Sequence, residues 1–211
     1  MQKLLTKTKE LAIDMFFPKR CFNCGKEGEY ICRDCGLFLL ETPNLKDIGG
    51  LEELVSVWEY EGIMKKIINE SKKNGIFDVF NELIDKAFRV RESNLPEDVF
   101  ITFVPMDKKE EKRIGFNQSK LIAKRLGEKT DRKVISLLSK KIAKKQGGLD
   151  REARIENVKD KFYMKDTDFI PEKVILVDDI WVSGATMTEC GKILKENGVK
   201  KVWGFTLTRL V

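Results

Sequence analysis

Two groups of residues in this 211-residue chain have the types and spacing that chemistry requires. The first is a set of four cysteines in two CxxC pairs, Cys21 with Cys24 and Cys32 with Cys35. A CxxC turn lets two thiolates point at one ion, and two such turns complete the tetrahedral shell that zinc prefers. Because sulfur would fill all four positions, this spacing predicts a closed, structural zinc site and not a catalytic one.

Disulfide bonds and a CxxC redox centre are the competing interpretations of these cysteines. Residues 1–17 carry apolar side chains at helical spacing, interrupted by Lys, Glu and Asp, which predicts an amphipathic helix and not an export signal. We therefore expect a cytoplasmic protein with reduced thiols, and a single redox pair would not explain two CxxC motifs. The module could cap the domain, or it could contact nucleic acid or a partner. Cys190 stands apart and is expected to be a small buried residue.

The second group lies in the stretch VILVDDIWVSGATM, residues 174–187. Asp178 and Asp179 directly follow a predicted buried strand, and Ser183 and Gly184 lie in the turn that leads into a predicted helix. Free N–H groups at a helix N-terminus bind phosphate, and glycine lets the backbone approach an anion closely. The acids would accept hydrogen bonds from hydroxyl groups of the same ligand. A ribose 5-phosphate group carries both features.

The acid pair has two other interpretations. A Walker B strand also ends in acids, but it requires a GxxxxGK[ST] loop, which the sequence does not contain. A strand–turn–helix with a surface acid pair would be purely structural. The chain has no histidine, so Ser-His-Asp triads and His-containing metal sites are excluded. Catalysis would depend on carboxylates, Lys, Arg, hydroxyls or backbone amides.

Strands and helices alternate along the chain around these two groups. Strands are predicted at residues 99–105, 174–177 and 201–208, with helical periodicity before and between them. This alternation predicts an α/β domain with a parallel sheet, in which ligands bind beyond the carboxyl ends of the strands. The net charge of +6 favours anionic partners such as phosphates, nucleotides or nucleic acid.

The composition along the chain predicts two units. Residues 1–45 would form an N-terminal helix and the four-cysteine module, and residues 46–211 would form the α/β domain. Residues 40–56, with a proline and a Gly-Gly pair, are interpreted as the exit from the module, and Gly147-Gly148 indicates a mobile loop. No stretch approaches the roughly 18 apolar residues of a membrane span, so no membrane insertion is expected.

The stretch at residues 174–187 resembles the phosphoribosyl pyrophosphate (PRPP) motif of type I phosphoribosyltransferases, in which two acids hold the ribose hydroxyls and a short loop wraps the 5′-phosphate. Other segments are similar to the competence protein F (ComF/ComFC, GntX-like) family in identity and order, and they span nearly the whole chain. These segments are the four cysteines, Tyr60 with Lys72 and Gly75, VPMDKK at 104–109, GFNQ at 115–118, and the string Gln146, Leu149, Arg151, Arg154, Asn157 and Phe162.

The resemblance implies a type I phosphoribosyltransferase-like parallel sheet with flanking helices, which binds PRPP with Mg²⁺. Asp178 and Asp179 would be the catalytic pair, and the loop after Pro105 would contact the pyrophosphate. The segment around residue 147 resembles the mobile hood that excludes water in such enzymes. The implied PRPP contacts are Asp178, Asp179, Val182, Ser183, Gly184, Ala185, Thr186, Met106, Asp107 and Lys108.

The resemblance also implies a role in natural competence, in which incoming single-stranded DNA is handled in the cytoplasm with partners such as a DNA-uptake helicase. The alternatives are a phosphoribosyltransferase of nucleotide metabolism and a non-catalytic PRPP sensor. Basic residues and one tryptophan would suit a groove for a single strand, with ordinary solvated charge as the alternative for each cluster. These residues are Lys108, Lys109, Lys112, Arg113, Lys140, Lys141, Lys144, Lys145, Arg151, Arg154 and Trp181.

The chain departs from the family pattern at two positions. Ile114 stands where an arginine usually precedes GFNQ, and one anion contact would be missing unless Arg113 compensates for it. Val182 stands where a hydroxyl residue commonly begins the loop, so one side-chain donor is absent while the backbone N–H groups remain. Trp181 could stack on a base, but a packing role is expected for it.

Overall fold

The computed structural model of the chain describes residues 18–91, 95–141 and 161–211. The predicted N-terminal helix and the Gly147-Gly148 loop lie outside the described residues, as do Lys144, Lys145, Arg151 and Arg154. The strands are β1 (Leu45–Ile48), β2 (Leu51–Glu59), β3 (Phe100–Phe103), β4 (Leu138–Lys140), β5 (Phe162–Met164), β6 (Lys173–Trp181) and β7 (Lys201–Arg209). The helices are α1 (Arg33–Gly36), α2 (Gly62–Asn74), α3 (Val79–Arg91), α4 (Lys108–Ile114), α5 (Gln118–Thr130) and α6 (Ala185–Glu196).

Five of these strands form one sheet in the order β1-β2-β7-β6-β3. The pairs β2–β7, β7–β6 and β6–β3 are parallel, whereas β1 is antiparallel to β2. Strands β4 and β5 form a separate antiparallel pair. The predicted α/β architecture, a mostly parallel sheet with flanking helices and an N-terminal cysteine module, is therefore confirmed.

Hydrophobic residues are buried on both faces of the sheet. On one face, helices α2, α3 and α5 pack against the strands through residues that include Ile67, Phe80 and Ile122. On the other face, helix α6 packs against the strands through residues that include Met187 and Cys190. Cys190 is buried, as predicted. Burial on both faces explains why the central strands are continuous apolar runs.

The segment of residues 40–56, which was interpreted as the exit from the module, has regular structure. This region contains strand β1 and most of strand β2, and a tight hairpin at Gly49 and Gly50 connects the two strands. Both glycines have positive φ, 59° and 76°, as a two-residue hairpin turn requires. The Gly-Gly pair therefore marks a turn between paired strands, and the run that follows it is buried at Leu51 and Leu54.

Strand β6 is longer than the sequence predicted. It was expected to end at Val177, before the acids, but it continues through Asp178 and Asp179 to Trp181. Pairing with β3 stops at Val177, opposite Phe103, whereas pairing with β7 continues to Trp181. The acids thus lie where β6 loses its β3 neighbour, which leaves one edge of the strand open at their position.

No helix among the described residues combines the length and the apolar content that crossing a membrane would need.

Candidate functional site

The four cysteines converge on one point. Their sulfur atoms all lie within 4.8 Å of one another, and the Cys24 and Cys32 sulfurs are 3.6 Å apart. A tetrahedron with metal–sulfur bonds of about 2.3 Å has edges of about 3.8 Å, so this cluster has the size of a zinc site. Cys21, Cys32 and Cys35 are buried and Cys24 is exposed. The four thiols are free and form no disulfide, as a metal site requires.

The environment of the cluster acts differently on individual thiols. Burial alone would raise the pKa of Cys21. Backbone hydrogen bonds from Cys24, Cys32 and Asn23 outweigh this effect and lower the pKa to about 6. The Asn23 amide donates to the Cys35 sulfur at 3.3 Å and lowers its pKa, but burial and the neighbouring thiols outweigh this bond and raise it to about 12. One thiol therefore ionises readily without a metal, while the last resists ionisation until a cation compensates the charge.

Helix α3 holds the cysteine module against the α/β domain. The Glu82 carboxylate accepts hydrogen bonds from the backbone N–H groups of Tyr30 and Ile31, each at 2.9 Å. The Tyr30 hydroxyl donates to both oxygens of Asp78, at 2.8 and 2.9 Å. Ile31 and three of the cysteines belong to the same hydrophobic cluster as α3 and the sheet. The module is thus packed onto the domain.

The acid pair occupies the open edge of strand β6. Asp178 is half-buried, and its Oδ1 accepts from the Ser119 hydroxyl at 2.7 Å and from the Asp179 N–H at 2.9 Å. Burial and then the charge of Asp179 raise the pKa of Asp178 to about 7, against the opposing effects of Ser119 and Lys72. At neutral pH this carboxyl can therefore exchange its proton easily.

Asp179 has a cationic partner from another element. The Lys72 ammonium, on the last turn of α2, lies 2.5 Å from Asp179 Oδ2. Asp179 is only 8% exposed, so the ion pair lies at the edge of the protein interior. Burial alone would lower the pKa of Lys72. The charge of Asp179 and its hydrogen bond outweigh this effect, so the net shift of the pKa is upward. Lys72 therefore stays charged at neutral pH.

A tight turn follows the acids and leads into helix α6. Gly184 caps the helix in the left-handed region, with φ of 76°. A side chain at this position would overlap the ring of Trp181, so the backbone can approach the ring only because residue 184 is glycine. The turn and the first residues of α6 line a pocket of about 110 Å³, which Asp178 also borders.

The predicted loop residues differ in what they offer to this pocket. Val182 is 55% exposed and contributes no polar side chain, in line with the departure noted in the sequence. The Ser183 hydroxyl lies 3.5 Å from the Ala185 N–H, and Thr186 lines the pocket. The first turn of α6 has no acidic residue, so no carboxylate of the helix itself opposes the positive end of its dipole. This arrangement suits an anion the size of a phosphate.

Trp181 lies beneath the turn and is only 7% exposed. It packs with Met187 and Leu176 in the core next to α6. The prediction that Trp181 belongs to a nucleic-acid groove is therefore wrong, and its expected packing role is correct. The reason is that the ring is buried in the core and the backbone of Gly184 lies close against it.

The loop after β3 places its three predicted residues in different roles. The Asp107 carboxylate accepts from the N–H groups of Lys109 and Glu110 and thereby caps helix α4. Met106 is half-buried, and Lys108 is exposed. Lys108 lines an open cleft of about 450 Å³. The other residues that line this cleft are Ser139, Lys140, Lys141 and Tyr163.

The basic residues of helix α4 that follow Lys108 do not line that cleft. Lys109, Lys112 and Arg113 are exposed, and Arg113 lies 3.9 Å from Glu110 on the same helix. Ile114, at the position of the usual arginine, packs against the core. Arg113 is therefore exposed and lies beside Glu110, and whether it compensates for the missing arginine stays a prediction.

Two residues of the acid site were missed as site residues in the sequence. Lys72 and Ser119 were not assigned a role, although Lys72 belongs to the segments that resemble the family and Ser119 follows GFNQ directly. Each lies on a different helix and contacts one acid. Both residues lie within or beside segments that resemble the family, which could have marked them as site residues. Their spacing in the sequence does not indicate that they contact the acids.

The fold and this geometry define an α/β protein with a candidate phosphate site at the carboxyl end of its sheet. A scan against models of known protein families finds no match. Competence protein F of Haemophilus influenzae is 27% identical over 197 residues, which cover 87% of this chain and 82% of that protein. Competence protein ComFC of Bacillus subtilis is 27% identical over 195 residues, which cover 90% and 77%.

Further relatives agree with these two. ComFC of Streptococcus pneumoniae is 27% identical over 192 residues, which cover 90% of this chain and 81% of that protein. The chain is thus related over most of its length to the competence proteins F and ComFC, and the resemblance seen in the sequence is confirmed.

Solved structures give weaker matches. A structure described as the allosteric regulatory enzyme of purine biosynthesis has a TM-score of 0.38 and 20% identity, over 60% of this chain and 24% of that one. A hypoxanthine phosphoribosyltransferase from Staphylococcus aureus has a TM-score of 0.35 and 12% identity, over 62% of each chain. Because both TM-scores are below 0.5, the description of the fold rests on the strand order and packing of this chain alone.

Proposed function

We propose that this protein binds PRPP at the acid pair and the turn that follows it. The observation that carries the proposal is the arrangement of acceptors and donors around the open edge of β6. The acids present carboxylate oxygens for the two ribose hydroxyls, and the pocket of about 110 Å³ beside them presents the N-terminus of α6 for the 5′-phosphate. One ligand with both groups would use the whole site.

Mg²⁺ would enter the site together with the diphosphate of PRPP. Among the described residues, the four cysteines form the only cluster of three or more Cys, Asp or Glu side chains close enough to share a metal ion. This fits an ion that takes most of its ligands from substrate and water oxygens. When bound, Mg²⁺ would neutralise charge on the departing diphosphate.

The same site could support phosphoribosyl transfer. In that reaction the bond between C1′ and the diphosphate oxygen breaks, an acceptor atom forms a new bond to C1′, and pyrophosphate leaves. The acids would hold the ribose in place by its hydroxyls while positive charge develops at C1′. A screen for pyrophosphate release over bases and DNA acceptors separates a transferase of DNA uptake or nucleotide metabolism from a PRPP sensor without turnover.

Calorimetry with PRPP and Mg²⁺ tests the binding site. We expect Asp178→Asn combined with Asp179→Asn to abolish binding while the thermal unfolding transition is kept. The double substitution Asp166→Asn with Asp168→Asn is the matched control, because it removes the same charge from exposed acids away from the site. Equal PRPP affinity in the wild type and the Asp178/Asp179 variant would exclude this site.

The related competence proteins and the basic cleft favour a second role, in handling single-stranded DNA. The cleft combines the ammonium groups of Lys108, Lys140 and Lys141 with Tyr163, which is 44% exposed. Lysines that contact a backbone and an aromatic ring on which a base can stack are the parts of a single-strand site. A DNA-uptake helicase is the partner that the family resemblance in the sequence implies.

Fluorescence anisotropy with a labelled oligothymidine tests this role. We expect Tyr163→Ala to weaken binding by about 1–3 kcal/mol at every salt concentration, because stacking is not screened. Lys140→Ala with Lys141→Ala should instead reduce the salt dependence of the affinity. Lys192→Ala with Lys200→Ala, two exposed lysines outside the cleft, is the control. Binding that none of these substitutions changes would exclude the cleft.

We further propose that the four cysteines hold one structural Zn²⁺ and that the protein acts in the cytoplasm, where thiols remain reduced. The sulfur spacing supports the metal, because four thiols within 4.8 Å of one another can share one tetrahedral ion. Metal analysis of the purified protein should find about one zinc per chain. A fully folded preparation without metal would contradict the assignment.

A further inference from the structure

We propose that Lys72, and with it Ser119, is a positioning residue that occupies one oxygen of each acid and thereby presents the other oxygen of each acid to the ligand. This inference rests on the proposed function, because it concerns how the acid pair receives the two ribose hydroxyls. Neither residue needs to touch the ligand in this arrangement.

The pattern of hydrogen bonds divides the four carboxylate oxygens into two sets. Asp178 Oδ1 accepts from the Ser119 hydroxyl and the Asp179 N–H, and Asp179 Oδ2 lies 2.5 Å from the Lys72 ammonium. Within the described ranges, no side chain donates to Asp178 Oδ2 or to Asp179 Oδ1. Two adjacent carboxylates therefore keep one open acceptor each, which equals the number of hydroxyls on the ribose diol.

The positive charge of Lys72 compensates the negative charge of the two adjacent acids. Two neighbouring carboxylates repel each other, and a counter-charge stabilises a carboxylate as buried as Asp179. Burial and the charge of Asp179 raise the pKa of Asp178 to about 7, and the charge of Lys72 opposes this shift. A neutral residue at position 72 would leave both acids without this counter-charge, so Asp178 would retain its proton to higher pH.

The position of Lys72 is fixed by the packing of its helix. Met64, Ile67 and Ile68 of α2 are buried in the core, and the neighbouring Ser71 is buried with its hydroxyl bonded to the Ile68 carbonyl. Helix α2 ends directly afterwards at Gly75, a left-handed cap. The ammonium is thus delivered from a rigid element, as accurate placement of a charge requires.

Few charged groups surround the pair in the described part of the chain. The groups that act electrostatically on Lys72 are Asp179, Asp178 and Tyr60. Tyr60 lies directly after β2, and its hydroxyl donates to Asn69 on α2. A change in the pH dependence after substitution of Lys72 can therefore be assigned to the acid pair and not to a more distant cation.

The test compares Lys72→Met with Lys73→Met. Lys73 is the matched control, since it is adjacent, exposed and carries the same charge without an ion pair to a described acid. Calorimetry with PRPP and Mg²⁺ is performed between pH 6 and pH 9. We expect Lys72→Met to weaken binding by about tenfold or more at pH 6.5 and by clearly less at pH 9, where Asp178 is ionised even without Lys72. Lys72→Arg should restore most of the affinity.

Two results would overturn the inference. If Lys72→Met and Lys73→Met behave alike, Lys72 contributes only general positive charge. If the loss for Lys72→Met is the same at every pH, the ammonium binds the ligand's phosphates directly and does not act through Asp179. Thermal unfolding of Lys72→Met and Lys72→Arg shows whether each variant is folded.

A second measurement needs no ligand and separates the two proposals. Carboxyl carbon NMR on the free protein follows the titration of Asp178, whose pKa the charge of Lys72 lowers. We expect the midpoint of Asp178 to move to higher pH in Lys72→Met and to stay in place in Lys73→Met. A wild type that does not bind PRPP would refute the proposed function, whereas an unchanged titration in Lys72→Met would refute the role of Lys72.

Discussion

The cysteine cluster and the acid pair each gather four polar side chains, but they differ in how the groups are supplied and satisfied. The cysteines come from one segment of 15 residues, Cys21 to Cys35, and a single ion would saturate all four. The acid site takes Lys72 from α2, Ser119 from α5 and the two aspartates from β6, and two of its oxygens stay open. A closed set of ligands stabilises the fold, whereas an incomplete set is available to a ligand.

The largest effect should follow from breaking the closed site. Cys32→Ser removes one of the four thiols of the proposed zinc site, whose metal would contribute on the order of 10 kcal/mol to folding. We expect loss of the metal and unfolding of the module, measured as zinc per chain and as the midpoint of thermal unfolding. Cys190→Ser is the control for metal content, because this buried thiol lies on α6, outside the cluster of four. A Cys32→Ser variant with one zinc and an unchanged midpoint would contradict the role of the cluster.

The next effect concerns the turn of the open site. Gly184→Ala would place a methyl group into the Trp181 ring at φ of 76°, so it combines a steric overlap with left-handed strain. We expect a loss of about 3 kcal/mol in the free energy of unfolding, more than the 1–2 kcal/mol of the strain alone. Gly50→Ala is the matched control, since Gly50 has the same φ with nothing within 4 Å of the new atom. Equal losses in denaturant unfolding would show that the contact with Trp181 is unimportant.

A third substitution tests the connection between the two regions. Glu82→Ala removes the acceptor of two backbone N–H groups, those of Tyr30 and Ile31. Leaving buried donors without a partner costs about 1–3 kcal/mol, and we expect about 2 kcal/mol here. Urea unfolding measures the loss, with the exposed neighbour Asn81→Ala as control. If Glu82→Ala is as stable as Asn81→Ala, the carboxylate does not hold the module on α3.

The smallest effect is a gain of stability that depends on pH. Because the pKa of Asp178 is raised to about 7 in the folded protein, the folded state retains a proton that the unfolded state has lost between about pH 4 and pH 7. Stability therefore falls as the pH rises through this window, and the penalty is complete above pH 7. At pH 8 we expect the free energy of unfolding of Asp178→Asn to exceed that of the wild type by about 1 kcal/mol. The variant should therefore unfold at a higher temperature.

The sign of this effect can be checked at low pH. Near pH 4 the wild-type carboxyl is protonated in the folded state and close to protonated in the unfolded state, so the advantage of Asp178→Asn should disappear. Thermal unfolding at pH 4.5 and pH 8 provides both values. An advantage that is equal at the two pH values would mean that burial and the charge of Asp179 do not strain this acid.

The comparison also explains how much could be predicted from the sequence. The cysteine cluster was predicted completely, because CxxC spacing fixes which sulfurs can meet through local geometry. The α/β architecture followed from alternation, and Asp178, Asp179 and Gly184 were recognised because they stand together in the chain. Lys72 could not be assigned, since only the packing of α2 against the sheet brings its ammonium to Asp179.

Two local features, a hairpin and a buried ring, were not predicted, and the physical reasons are of the same kind. The hairpin at Gly49 and Gly50 was interpreted as an exit segment, because glycine pairs indicate a turn without showing that the flanking residues pair with each other. Trp181 was included in a nucleic-acid groove, because the sequence does not show whether an aromatic ring is buried. The close approach of Gly184 to the ring arises only in the folded turn.

The core that Ile31 and three cysteines share with α3 and the sheet has a consequence for how the protein unfolds. Cooperative units follow buried contacts and not the segments into which a chain can be divided by composition. The cysteine module and the sheet should therefore melt in a single transition with one enthalpy. Removal of the metal by a chelator would then lower the midpoint temperature of that transition for the entire molecule. Loss of the metal or oxidation of the thiols would therefore shorten the time for which the acid site stays folded.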